Sequence, residues 1–470
     1  MSVLPSTRSG ALDGPTATGC AGAGPAGFTT RTRPAATTTP GSLPAVVGAG
    51  LVVPTVSGPT TYANLDHAAS TPALVTVKEA VDRALETYAS VHRGAGYASR
   101  LTSAWYEQAR TEVADFVGAR SDDAVVFTRT TTDSWALLAA ALRHDATVVV
   151  FASEHHSTLL PWGDDRTVRL PVPHTVAEAR DRLADALTAR PDGQRLVVIT
   201  AASNVTGEVW PIEDFARLAH AHGARIAVDA AQLSAHRRID LAAWEVDYVA
   251  FSGHKTYAPF GTGVLAGRSD WLDGGDPYLR GGGATRAVAE SGVTWSTGSA
   301  RHEGGSPNVI GAIALAAACA TIAANRAAIE AHETQLLARL REGLRSIDGV
   351  EELSIFNESN DRVGVVAFTV RGFDSSLVSQ VLSVEHGVGV RDGRFCAHLL
   401  VDELLSGSTE HGTAVRASIG LGSTAEGVDR LIGALRELVE AGPASAWTHD
   451  GSGWVVEGLD PRDREVVRPW

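Results

Sequence analysis

The chain has 470 residues, 44% hydrophobic and 20% charged, which is enough to bury a sizeable core arranged as two domains. A formal net charge of −14 argues against nucleic acid or an anionic membrane surface as partner, and no apolar run approaches the length of a membrane span. The three cysteines, Cys20, Cys319 and Cys396, stand too far apart for a disulfide framework or a metal cluster, which fits a reducing cytoplasm.

Residues 1–60 are rich in Gly, Ala, Thr and Pro, and only Arg8, Asp13, Arg31 and Arg33 are charged. Such a segment buries too little apolar surface to offset its chain entropy and reads as a disordered extension. The apolar stretch from Ala45 to Val53 is broken by Gly and lies too far from the N-terminus for a signal-peptide core. A large domain is expected over 61–345, opening with a strand and turn at Tyr62–Pro72 and a helix over Thr76–Tyr88.

From Ala124 onward apolar strands alternate with helical segments: Ala124–Phe127, Thr147–Phe151, Arg195–Thr200, Arg225–Val228 and Asp247–Phe251. That alternation predicts an α/β fold, a mostly parallel sheet with helices on both faces and ligands gathered at the carboxyl ends of the strands. The segment Thr128–Ser134, with Thr131 and Thr132, follows the first strand and opens a helix. Its N–H groups and hydroxyls suit a phosphate, although plain helix capping explains the same residues.

Two further strand ends carry more specific chemistry. Asp229 ends the strand in Arg225-Ile-Ala-Val-Asp229, and Lys255 sits in Ser252-Gly-His-Lys255 on a turn between two apolar runs. The chain has only one other lysine, Lys78. A desolvated lysine is nucleophilic near neutral pH and can form a Schiff base, which arginine cannot. An ordinary surface loop lysine would look the same in isolation. A carboxylate one strand earlier is what a pyridoxal 5'-phosphate (PLP) site requires, because it keeps the pyridine nitrogen protonated while the lysine holds the aldehyde.

The stretches VDAAQ (228–232) and SGHKTYAPFGTG (252–263) resemble the cysteine desulfurase and selenocysteine lyase group of class V aminotransferases, PLP enzymes of fold type I. The resemblance runs from about Tyr62 to about Leu438. It implies a PLP-dependent transferase fold with a smaller α+β C-terminal domain, expected over 346–440, and leaves 441–470 as a tail. Val91–Ser99 is similar to the family's H-R-G-x-H-x-x-S loop, with Gly96 in place of the second histidine. The resemblance further implies that His155 of Glu154-His-His156 stacks on the cofactor ring and that Gln232 bonds the ring oxygen. It makes Ser252 and His254 phosphate contacts, and Asn204 of Ser203-Asn-Val-Thr-Gly207 a contact near ring or substrate.

In the same resemblance Ser306 of Arg301-His-Glu-Gly-Gly-Ser-Pro-Asn308 serves the phosphate of the opposite subunit, making an obligate homodimer with shared sites. Arg391-Asp-Gly-Arg-Phe-Cys-Ala397 resembles V-R-x-G-x-x-C-A, whose cysteine rides a mobile loop and takes up substrate sulfur. Arg394 and Phe395 replace two histidines there, and an arginine two residues before Cys396 would favour its thiolate. Arg416 in Val415-Arg-Ala-Ser418 is implied as the grip on the substrate carboxylate.

The sequence therefore reads as a PLP-dependent cysteine desulfurase that takes sulfur from L-cysteine through an enzyme persulfide, with Lys255, Cys396 and His155 catalytic. A small amino acid is the substrate, a sulfur-acceptor protein is a further partner, and no metal is implied. Two alternatives stay open. One is another class V activity (C–S lyase, selenocysteine lyase, epimerase or aminotransferase), and the other is a PLP-binding protein without turnover.

Overall fold

A computed structural model describes residues 42–356, 361–407, 412–463 and 468–469. Its centre is a seven-stranded sheet of β1 (Asp123–Thr128), β2 (Thr147–Phe151), β3 (Thr167–Leu170), β4 (Arg195–Thr200), β5 (Arg225–Asp229), β6 (Tyr248–Ser252) and β7 (Gly263–Arg268), in the order β1-β7-β6-β5-β4-β2-β3. Pairs β3–β2, β2–β4, β4–β5 and β5–β6 are parallel, and β7 runs antiparallel to both of its neighbours.

The strands read as near-continuous apolar runs because both faces of the sheet are covered. Alternate side chains go to opposite sides. Val149 and Phe151 of β2, with Val197 and Ile199 of β4, join one core. Val148, Val150, Leu196 and Val198 join the other. The first core is closed by α1 (Val75–Leu85) and α2 (Tyr97–Phe116), and the second by α3 (Thr131–Ala141) with its buried Trp135. The small apolar residues of α4 (Val309–Ala324) complete the first core, Cys319 among them. That stretch and α5 (Arg326–Arg345) were expected as one or two helices. They are two, broken at Asn325 and bent by 77°.

Beyond α5 a second sheet forms from β8 (Val350–Glu352), β9 (Val365–Val370), β10 (Arg391–Gly393) and β11 (Ala414–Ser418), in the order β8-β9-β11-β10 and antiparallel throughout. It packs with α6 (Ser375–His386) and α7 (Ala425–Ala441) around its own apolar cluster. Among the described residues no single helix is long and apolar enough to cross a membrane.

The described part of the N-terminal extension departs from expectation. Residues 1–41, with Cys20, lie outside the described residues. The rest of the expected extension is packed rather than loose. Val46 is buried and bridges Leu74, Val56 N–H donates to Val384 O, and Val52–Val53 pairs with Thr60–Thr61. The tail, whose Trp470 is outside the described residues, makes a hairpin of Trp447–His449 and Trp454–Val456. Trp447 Nε1 donates to Glu385 of α6 at 3.1 Å.

The two sheets meet tightly at a loop that follows β4. Gly207 has φ +75°, and a Cβ there would stand 2.4 Å from Val365 O, so only glycine fits. Next to it, fully buried Glu208 accepts hydrogen bonds from Thr206 Oγ1 (2.7 Å), Ser354 Oγ (2.7 Å), Ile355 N (2.7 Å), Phe356 N (3.1 Å) and Arg362 Nη2 (3.2 Å). Removing one partner of a buried ion pair strands the other charge. Glu208→Ala should therefore lower stability by about 3–5 kcal/mol, read as a lower denaturation midpoint. A midpoint equal to the parent's would show that the seam does not depend on this pair.

Candidate active site

The carboxyl ends of five strands, β1, β2, β4, β5 and β6, deliver polar residues to one cavity of about 430 Å³. Thr131 and Thr132 come from the start of α3, after β1. The cap of that helix is Thr130, whose side chain accepts from Asp133 N, and a helix start is where an anion site is expected. Ser252, ending β6, ties this corner together, because its Oγ accepts from Thr131 N at 2.7 Å and lies 2.8 Å from Thr131 Oγ1. His254 also lines the cavity. Its carbonyl accepts from Thr71 N at 2.8 Å, and burial with nearby Lys255 holds its imidazole below the usual pKa.

Lys255 ends a single 3₁₀ turn, Gly253–Lys255, between the antiparallel strands β6 and β7. Gly253 N donates to Thr262 O at 2.7 Å. Burial lowers the lysine amine to about 8; Asp229 opposes that shift and Arg416 adds to it. Asp229 is 5% exposed, and its carboxylate accepts from Thr158 Oγ1 at 2.7 Å and Ala231 N at 2.9 Å, which leaves lone pairs for a donor in the cavity.

His155 follows β2. Its Nδ1 accepts from Ser157 N at 3.1 Å, so the neutral ring carries its proton on Nε2. Burial first, then Lys255, push its pKa down to about 4, leaving a neutral ring at pH 7. Beside it Glu154 is 1% exposed; one carboxyl oxygen accepts from Thr200 N at 3.0 Å and the other has no partner among the described residues. Burial, with a smaller contribution from Asp229, raises this carboxyl well above the usual range. Gln232 lines the cavity and is anchored through Nε2 to Ala68 O at 2.9 Å.

The second sheet closes the cavity. Arg416 of β11 is 3% exposed; Nη1 donates to Asn204 O at 2.9 Å and Nη2 to Asp66 Oδ1 at 3.2 Å, while Nε is buried with no partner among the described residues. Asn204 lines the cavity as expected, but its side-chain amide donates to Phe395 O at 2.7 Å. Cys396 also lines the cavity and is exposed; its carbonyl accepts from His156 N at 2.8 Å. Phe395 and Cys396 have φ of +52° and +54°, a left-handed conformation that costs non-glycine residues about 1–2 kcal/mol each.

Two expectations need correction or placement. Arg394 does not face the thiol: it pairs with Asp402 at 3.2 Å and donates to Gly412 O. Lys255 and Arg416, which line the cavity with the thiol, both interact electrostatically with Cys396. Ser306 is exposed and does not line the cavity of its own chain. The remaining eleven expected residues, Thr131, Thr132, His155, Asn204, Asp229, Gln232, Ser252, His254, Lys255, Cys396 and Arg416, all line it. Sequence reasoning missed Asp66, Thr158 and Phe395. Only Asp66 had a usable signal, as the lone acid in the motif Tyr62–Pro72.

The aminotransferase class-V family profile matches residues 63–431. The chain is 34% identical to the cysteine desulfurase of Dickeya dadantii over 389 residues, covering 80% of this chain and 92% of that one. It is 35% identical to the probable cysteine desulfurase of Aeropyrum pernix over 395 residues, covering 80% and 94%. Among solved structures, the apo cysteine desulfurase of Thermococcus onnurineus superposes with a TM-score of 0.72 at 31% identity, covering 81% and 95% of the two chains. The chain belongs to the aminotransferase class-V family, and its large sheet is that family's fold type I arrangement.

Proposed function

We propose that the chain is a PLP-dependent cysteine desulfurase acting on L-cysteine. The carrying observation is that one cavity holds a lysine amine lowered to about 8, a buried carboxylate, and a free thiol. The names of the relatives support the same reading.

The residues fit the cofactor. The start of α3 with Ser252 and His254 would take its phosphate, Asp229 its ring nitrogen, Gln232 its ring oxygen and Lys255 its aldehyde; the neutral His155 ring would lie on its face. When bound, the cofactor supplies an electron sink conjugated to the substrate Cα. Arg416, with an unpartnered buried Nε, receives the substrate carboxylate and so orients the Cα–H toward Lys255. Lys255 Nζ takes the Cα proton. The Cys396 thiolate attacks the substrate sulfur; a Sγ–S bond forms as the Cβ–S bond breaks, the electron pair of that bond stays with Cβ, which takes a proton from solvent, and Lys255 returns its proton to Cα, so that alanine leaves. Because Cys396 is exposed, a sulfur acceptor can reach the persulfide from outside. A reducing cytoplasm suits an unpaired thiol in that position.

Cofactor attachment is the first test. Borohydride treatment of the yellow holoprotein, followed by peptide mapping, should place the cofactor on Lys255; a product on Lys78 would sink the reading. A titration refines it. The amine is protonated below its pKa, so the rate at which apoprotein captures the cofactor should rise with pH through about 8. Asp229 stabilises the ammonium, so Asp229→Asn should move that midpoint lower, while Arg416→Ala should move it higher.

A separate variant isolates the thiol. Cys396→Ala should still change the cofactor absorbance with L-cysteine, because Lys255, Asp229 and Arg416 remain, yet release no sulfide. Parental sulfide release would assign the chain to the C–S lyases instead.

Two chains would share each site through Ser306. Mixed dimers of Lys255→Ala and Ser306→Ala protomers should bind the cofactor better than either variant alone. Hybrids no better than the variants would remove the shared site.

A further inference from the structure

The residue before the thiol is neither the histidine of the family pattern nor a passive spacer. Phe395 is 8% exposed and belongs to the main apolar core, although it sits on a loop at the mouth of the cavity. Its ring centroid lies 5.1 Å from Arg416 Cζ, within the range of a cation–π contact, and the guanidinium there is almost fully desolvated. Its carbonyl accepts from Asn204 Nδ2 at 2.7 Å, and Asn204 in turn accepts from Arg416 Nη1 with its own backbone carbonyl. Phe395, Asn204 and Arg416 thus form a closed ring of contacts. The left-handed φ of +52° and +54° at Phe395 and Cys396 is a conformation that the loop would leave if nothing held it.

We infer that Phe395 is a positioning residue that locks the Cys396 loop to Arg416, so that the thiol's location and the orientation of the carboxylate-binding guanidinium are set together. With Asp66 and Asn204 holding the two Nη atoms, the ring fixes the plane of the guanidinium and leaves Nε without a partner among the described residues. An aliphatic side chain of similar bulk keeps the loop's apolar plug and loses the π face. A tyrosine keeps that face.

The inference rests on the desulfurase reading only for its choice of ligand, and the test separates the two. Holoenzyme of the parent, Phe395→Leu and Phe395→Tyr is titrated with L-alanine, read by cofactor absorbance, and Cys396 alkylation by iodoacetamide is timed by mass spectrometry. Phe395→Leu should bind L-alanine about tenfold more weakly and alkylate faster at Cys396, whereas Phe395→Tyr should stay within about twofold of the parent in both. Cofactor affinity, set by Lys255, Asp229 and α3, should be unchanged in both variants. Parental L-alanine affinity in Phe395→Leu overturns the inference. So does a loss of cofactor affinity as large as the loss for L-alanine, which would signify a general structural role. A parent that binds L-alanine but releases no sulfide from L-cysteine fails the desulfurase reading and leaves this one standing.

Discussion

Everything at this site depends on keeping water away from one amine without neutralising it for good. Burial lowers Lys255, and the Asp229 carboxylate pulls it back toward the charged form. Full burial with no counter-charge would leave a permanently neutral amine, and a close exposed pair would leave a permanent ammonium. The balance near 8 comes from backbone placement. Asp229 is the last residue of β5 and Lys255 follows the end of β6, the adjacent parallel strand. The turn itself is possible only with glycine at 253, since a Cβ there would stand 2.8 Å from Thr262 O and 2.9 Å from Ala258 O.

A second buried charge shapes the other wall. Arg416 is expensive to bury and must be paired and hydrogen-bonded to stay there. Its partners come from three distant parts of the chain: Asp66 near the start of the family match, Asn204 after β4, and Phe395 on the cysteine loop. Asp66 itself bridges Ser418 and also pairs with Arg391 at 3.1 Å. This wall of the cavity therefore exists only when the opening segment and both sheets are assembled. The buried Glu208 cluster enforces that assembly at the next contact along the same seam.

What the sequence made legible follows from the same physics. Strands β2 and β4 lie inside a sheet covered on both faces, so their apolar runs Thr147–Phe151 and Arg195–Thr200 begin and end where the hydrogen bonding does. The edge strand β3, Thr-Val-Arg-Leu, has a half-polar run and was not legible as a strand. Strand-end residues stood out because a polar residue directly after an apolar run is conspicuous. Asp66 and Phe395 act through partners 350 and 191 positions away, which no local pattern encodes. Arg394 shows the opposite error. Two positions from the thiol in sequence, it is turned to Asp402 while the left-handed pair at 395 and 396 redirects the chain.

That redirection changes how the thiol is activated in the proposed reaction. With Arg394 engaged elsewhere, the cations that interact with Cys396 in the cavity include Arg416 and Lys255, the two groups that would handle substrate in that reaction. A carboxylate arriving on Arg416 offsets the first. The second follows the proton count at Lys255 Nζ, because an amine that has just taken the Cα proton is an ammonium in the same cavity. Turning Arg394 to Asp402 thus leaves the field around the sulfur to the groups of the cavity itself.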